Sequence, residues 1–314
     1  MPTFKQLILI STLVFTAYTQ AKSKFMTAKS FTELQQVVEK LGNKGQKRAL
    51  IVMDDDDTLT MMSCPNQNDA ASCQYLGGPA WFSWQQTLLG TPSHYRVTDD
   101  FNQLIDISDM LFAMNYMGYT EQIIPSTLQS LTASGAKLLV LTARGGGTTS
   151  ATENQLAHLK LNKTDPNSSK FLAFISKNAL LGKKSRSSSI ASPFKAKNCL
   201  ANKRSISYQQ GVMYVAGQNK GEMLKCLLKQ TKSSRIRNIV FIDDTLENVT
   251  DINEAFAKDR RYNVTGIHYT ALKDHKEALT VGSNSATYQF NAHQRWEAIK
   301  ATLEQQLQTP AAID

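Results

Sequence analysis

The segment Ile51-Val52-Met53-Asp54-Asp55-Asp56-Asp57-Thr58-Leu59-Thr60 runs an apolar strand directly into four consecutive carboxylates. Negative charge at the end of a buried strand is costly unless something compensates it. A fold that accepts this segment must therefore bring cations, protons or a metal to that strand end. Side chains alternate along extended backbone, so Asp54 and Asp56 are expected on one face, with Asp55 and Asp57 tending to the other. Two aspartates that converge at neutral pH favour a divalent cation. Asp-x-Asp-x-Thr also opens a calcium-binding EF-hand loop, but Leu59 stands where that loop needs Gly and Pro65 where it needs Glu. A solvated acidic turn leaves the preceding apolar strand unexplained.

Around this strand the hydrophobic pattern alternates between two periods. Continuous apolar runs at 49–53, 137–141, 212–216, 238–242 and 264–269 predict buried strands. Amphipathic helices are predicted at 31–42, where Gly42 ends the pattern, from Pro125 to Gly135, and at about 220–229. Buried strands alternating with such helices predict an α/β fold: a Rossmann-like, three-layer core with a five-stranded parallel sheet. The chain after residue 21 is expected to form one domain with two insertions. Residues 61–120, with Tyr75, Trp81, Phe82 and Trp84, are expected to form a small cap or lobe. Residues 162–210, with the run Lys183-Lys184-Ser185-Arg186, are expected to be a polar, basic loop region. A closing helix with Trp296, Ile299, Leu303 and Leu307 on one face is expected to be core.

Lys5, the apolar run 7–15 and the small residues of Thr19-Gln20-Ala21 read as an export signal cleaved after Ala21. The run is too short for a stable membrane anchor, so the mature protein is expected to be periplasmic or extracellular. Four cysteines remain, an even number that suits two bridges outside the cell. Cys64 and Cys73 enclose a polar loop and fit no zinc spacing, so they are expected to pair, leaving Cys199 and Cys226. The formal charge of +9 suits an anionic ligand, but the basic run lacks interleaved aromatics, so nucleic-acid binding is not expected.

Four segments together resemble the haloacid dehalogenase (HAD) superfamily. They are the strand into Asp54-x-Asp56-x-Thr58-Leu59, the strand ending Leu141-Thr142-Ala143-Arg144-Gly145, the helix opened by Lys220, and the strand carrying Asp243-Asp244. The match covers roughly 31–60, 122–160 and 211–270, and it is similar to exported acid phosphatases and to a secreted bacterial group of unknown function. The resemblance implies hydrolysis of small phosphomonoesters through an aspartyl-phosphate, with Asp54 as nucleophile and Asp56 as general acid and base. Thr142 and Lys220 would stabilise the phosphoryl oxygens, with Thr58, Ala143, Arg144 and Gly145 around them. Mg²⁺ would be held by Asp54, Asp56, through its main-chain carbonyl, Asp244 and Asp243. Three positions depart from the common pattern: Asp55 where a neutral residue is usual, Asp57 where Gly often stands, and Asn248 where many members have Asp. They leave open a secreted binding or effector protein that keeps the fold and has lost turnover.

Overall fold

The computed structural model describes residues 23–62, 64, 73–194 and 204–307, so the expected leader at 1–21 and Cys199 lie outside the described residues. In chain order the elements are β1 (Ser23–Ala28), α1 (Phe31–Glu39), α2 (Gly42–Gln46), β2 (Ala49–Met53), β3 (Thr60–Met62), α3 (Pro79–Leu88), α4 (Phe101–Met114) and β4 (Met117–Tyr119). There follow α5 (Ile124–Ala133), β5 (Lys137–Thr142), α6 (Thr149–His158), α7 (Phe171–Asn178), β6 (Ile190–Phe194), β7 (Ile206–Gln209) and β8 (Val212–Tyr214). The chain continues through α8 (Lys220–Gln230), β9 (Asn238–Asp243), α9 (Leu246–Phe256), β10 (Asn263–Tyr269), α10 (Lys273–Glu277) and α11 (Ser285–Gln306).

The central sheet has the order β1-β10-β9-β2-β5-β8-β7-β6. Its first six strands run parallel, and β7 and β6 add in antiparallel sense at one edge. The five predicted strands are its unbroken middle, β10-β9-β2-β5-β8, but the expected count of five is too low. β1 escaped the apolar pattern because it is an edge strand with Phe25 exposed. Edge strands need only one covered side.

Strand alternation sorts β2 between two layers. Ala49, Ile51 and Met53 pack with Phe31, Leu34 and Val38 of α1, Leu128 of α5 and Phe171 of α7. Leu50 and Val52 face the other way, onto Met223, Leu224 and Leu227 of α8 and Val249, Ile252 and Phe256 of α9. Both faces of β2 are therefore dry, as a parallel sheet between two helical layers requires. Local signals set the helix ends. The Ser30 hydroxyl accepts from the Glu33 N–H to start α1, and Pro125 sits in the first turn of α5. Gly135, at φ +98°, then turns the chain into β5 through a left-handed conformation that costs glycine little.

A third cluster lies apart from the sheet layers. Trp81 and Trp84 of α3 and Leu104 and Leu111 of α4 pack with Leu279 and with Ala292 and Trp296 of α11. Both tryptophans are buried here, so they fill this small core and do not line an opening. The closing helix serves this cluster, and its expected apolar face shortens, since Leu307 is exposed. The stretch 162–210 also differs from a plain polar loop: it contains α7, with Phe171, Leu172 and Ile175 buried, and the strands β6 and β7. Its polar composition masks the short apolar run 171–175, whose Phe171, Leu172 and Ile175 are buried.

Cys64 and Cys73 form a disulfide. Cys226, inside the α8 layer, carries no free thiol either. Closing a loop of nine residues' separation should stabilise the fold by about 2 to 3 kcal/mol. Urea unfolding of a Cys64→Ser/Cys73→Ser variant should show that loss, and an unchanged midpoint would refute it.

Candidate active site at the carboxyl ends of the strands

β2 lies between β9 and β5, so the chain leaves it at a point where neighbouring connections run to opposite sides of the sheet. Open α/β sheets bind ligands outside the carboxyl ends of strands at such a point. Asp54 follows β2 and its N–H donates to the Ile242 carbonyl of β9 at 3.0 Å, which sets the carboxylate beside Asp243 and Asp244. Carboxylate oxygens of Asp54, Asp243 and Asp244 all lie within 4.8 Å of one another.

Beyond Asp54 the backbone turns. The Asp55 carbonyl accepts from the Leu59 and Thr60 N–H groups at 3.0 and 2.8 Å, and Asp57 takes φ +55°. Asp is among the residues that tolerate this left-handed conformation. Two-residue alternation holds only for extended chain, so the expected two-face division of the aspartates does not survive: Asp55 and Asp56 share one cation. Arg144 donates from Nε and Nη2 to the two oxygens of Asp56 at 2.8 and 2.5 Å, and its Nη1 stands 3.0 Å from Asp55. The guanidinium also donates to Thr152 and lies 3.6 Å from the centre of the Phe112 ring, which α4 supplies. Asp55 is thus a buried structural carboxylate, also accepting from the Thr60 hydroxyl at 2.8 Å.

Lys220 opens α8 and is 2% exposed, with Nζ donating to Asp54 at 2.5 Å and to Asp243 at 2.7 Å. Gly221 next to it lets α8 approach α9, since a Cβ there would collide with the Asp251 carbonyl. Asn248 donates from Nδ2 to both oxygens of Asp243 at 3.1 Å, so an amide donor stands where a further carboxylate would add charge. Thr58 accepts the Asp244 N–H at 2.9 Å, and Thr142, fully buried, accepts the Arg144 N–H at 3.2 Å. The predicted residues Asp54, Thr58, Lys220, Asp243 and Asp244 therefore meet in one network. Asp56 and Arg144 make a neighbouring one, with Thr142 ending β5 and Ala143 and Gly145 in the loop that follows.

Three participants carried no signal. Lys276 donates to Asp244 at 2.5 Å, and His275 stands 3.9 Å from Asp57, both from the short polar helix α10. Tyr75, from the 61–120 stretch, stacks on His275 at 4.8 Å. His275 also lies within 4.8 Å of the sulfurs of Cys64 and Cys73, but these are bonded to each other and offer no thiolate.

The charges do not balance. Six carboxylates, Asp54 to Asp57 with Asp243 and Asp244, face three cations, Arg144, Lys220 and Lys276, an excess of 6 − 3 = 3 negative charges. Burial pushes the Asp54 carboxyl well above its usual range; Lys220 opposes the shift, and Asp243, Asp244 and Asp56 reinforce it. Burial also raises Asp57 well above that range, and raises Asp55 and Asp244. Burial opposes the ammonium form of Lys220, but Asp243 and Asp54 outweigh it and hold the lysine charged. A hard divalent cation at Asp54, Asp243 and Asp244 would reduce this excess with the oxygen ligands such ions prefer. The Asp56 side chain belongs elsewhere, since Arg144 occupies both of its oxygens.

Burial lowers His275 to about 4, so it is neutral at pH 7. The unfolded chain, with an ordinary histidine near pH 6.5, binds more protons between these values, and stability should fall as pH drops through that window. The loss attributable to His275 is at most about 3 kcal/mol by pH 4. Urea unfolding of His275→Gln between pH 4 and 7 should show a shallower slope than the parent; an equal slope would exclude this histidine as the cause.

The chain belongs to the family described as "Protein of unknown function (DUF2608)", whose model matches residues 27–307. No curated protein sequence matches it. Among solved structures it is similar to cytosolic 5′-nucleotidase IIIB bound to cytidine, at 11% identity over 86% of this chain and 93% of that one, with a TM-score of 0.26.

Proposed function

We propose that this member of the family is a divalent-cation-dependent phosphomonoester hydrolase, working as the HAD resemblance implies. One observation carries the reading: Asp54, buried at the end of β2, is held by Lys220 and shares a 4.8 Å cluster with Asp243 and Asp244. A carboxylate oriented by an ammonium group at a strand end is placed for attack on phosphorus. An Asp54 oxygen forms a bond to phosphorus as the bond to the leaving oxygen breaks, that oxygen taking the electron pair. Asp56 supplies the proton the leaving group needs. A water then attacks the aspartyl-phosphate, Asp56 takes its proton, and phosphate departs as Asp54 is restored. Lys220 and the Thr142 hydroxyl face the charge that develops on the phosphoryl oxygens. Mg²⁺ bound by Asp54, Asp243 and Asp244 would supply further positive charge there. The reading includes export, which the disulfide supports, and a small phosphorylated substrate.

A second reading draws support from Arg144. With both Asp56 oxygens accepting from one guanidinium, the carboxylate is fixed in place by Arg144 and must turn from that pairing to reach a leaving group. A chain in which the pairing never opens would bind phosphorylated ligands without turnover. Purified protein from Lys22 onward, given an aryl phosphate, separates the readings. Release of phosphate that requires Mg²⁺ and stops with chelator supports the hydrolase; saturable substrate binding without release supports the binder, and full turnover in chelator removes the metal.

A further inference from the structure

The amino ends of the strands carry a second charged site of opposite sign. A cavity of about 330 Å³ opens there, lined by five basic side chains, Lys44, Arg48, Arg237, Arg260 and Arg261, with Asn238 and Asn263 between them. The register builds it: Ala49 of β2 is opposite Asn238 of β9, and Asn238 is opposite Asn263 of β10. The residues just before those strands are therefore neighbours, and the Arg48 carbonyl accepts the N–H groups of Arg237 and Asn238 at 2.9 and 3.1 Å. Basic residues from three separate segments converge although each repels the others.

Among the described residues, no acidic one lines the cavity. Among the described residues, no carboxylate forms an ion pair with Lys44, Arg48 or Arg237. Two of the guanidinium groups are held in place. Arg237 donates from Nη1 to the carbonyls of Ser234 and Ile236, both at 2.7 Å. Arg261 lies 4.4 Å from the Tyr262 ring centre and donates to Asp259 at 3.3 Å. Asn238, 8% exposed, donates from Nδ2 to the Gly45 carbonyl and so fixes α2, which carries Lys44, against the sheet. Fixed guanidinium forks suit tetrahedral oxyanions, and part of the ordering cost of binding is already met. The cavity is concave and of a size that suits a small molecule, which disfavours a duplex or an extended strand.

The geometry points to a second ligand site at the amino ends of β2, β9 and β10 that binds a small anion carrying two or more phosphate groups. It lies a strand length from Asp54, roughly 17 Å at about 3.3 Å per residue, and does not depend on how the catalytic reading fares. A ligand there would touch the loops before β2, β9 and β10, the strands whose far ends carry or flank the acidic cluster.

Calorimetric titration of the full chain with sodium tripolyphosphate, in chelator and at low salt, tests this. Saturable binding is expected, weakening as salt screens the exposed charges. Lys44→Gln with Arg48→Gln should weaken it about tenfold, the effect of two partly screened contacts, with an unchanged thermal midpoint. Lys44→Glu alone, at an exposed position, provides the second variant and should also weaken binding. Absence of saturable binding, or the parent's affinity in both variants, overturns the site. Tighter binding of a single-stranded oligonucleotide that tripolyphosphate fails to displace overturns the small-anion assignment in favour of nucleic acid.

Discussion

Asp54→Asn should abolish hydrolysis of both an aryl and an alkyl phosphate, by about 10⁴-fold or more, because an amide oxygen does not form the phosphoenzyme. Stability should move the other way. Burial and three neighbouring carboxylates oppose the charge on Asp54, so a neutral side chain of the same shape relieves repulsion, while Lys220 keeps Asp243 as a partner. The thermal midpoint in chelator should hold or rise. Asp56→Asn is expected to differ: general acid help is worth about 10²- to 10⁴-fold, and least for a good leaving group, so the aryl phosphate should suffer less than the alkyl one. Wild-type turnover in Asp54→Asn would remove the nucleophile assignment and require hydrolysis by a different nucleophile.

The core was readable where burial is complete. β2, β5, β8 and β9 are covered on both faces, so their sequences are apolar runs that need no partner to be recognised, and β10 still shows Val264, Ile267 and Tyr269 buried among polar neighbours. β1 is mostly exposed and leaves no apolar run, and the short apolar run 171–175 of α7 is outweighed by the polar residues on either side of it. The same division applies to the site. Asp54, Thr142, Lys220, Asp243 and Asp244 stand at strand or helix ends, and each is marked by the apolar run beside it. Lys276 and His275 sit on a five-residue polar helix, where a lysine that neutralises Asp244 reads like any solvated one. Arg144 shows the limit most clearly. Its place after β5 was legible, but its pairing with Asp56, 88 residues away, depends on β2 and β5 being neighbours. Only that contact accounts for Asp55: the carboxylate that departs from the common pattern is held by an arginine and a threonine.

Lys220→Met should be the most damaging single change to the fold around the site. It removes one of three cations from six carboxylates and leaves Asp54 and Asp243 without their shared partner in a buried place. Breaking one side of a buried ion pair typically costs about 3 to 5 kcal/mol, and losing a preorganised positive group typically costs about 10²- to 10³-fold in turnover. Arginine is a poor replacement, because a planar fork needs more room than the ammonium has between two oxygens at 2.5 and 2.7 Å. The two losses separate in a double variant. Lys220→Met with Asp243→Asn restores the charge difference of the parent, so most of the stability should return, measured by urea unfolding in chelator. Turnover should not return, because the charge facing the phosphate is still gone and one metal ligand has been weakened. If Lys220→Met alone unfolds at the parent's urea midpoint in chelator, the lysine is not paired with Asp54 and Asp243 in solution, and the charge balance argued for this site is wrong.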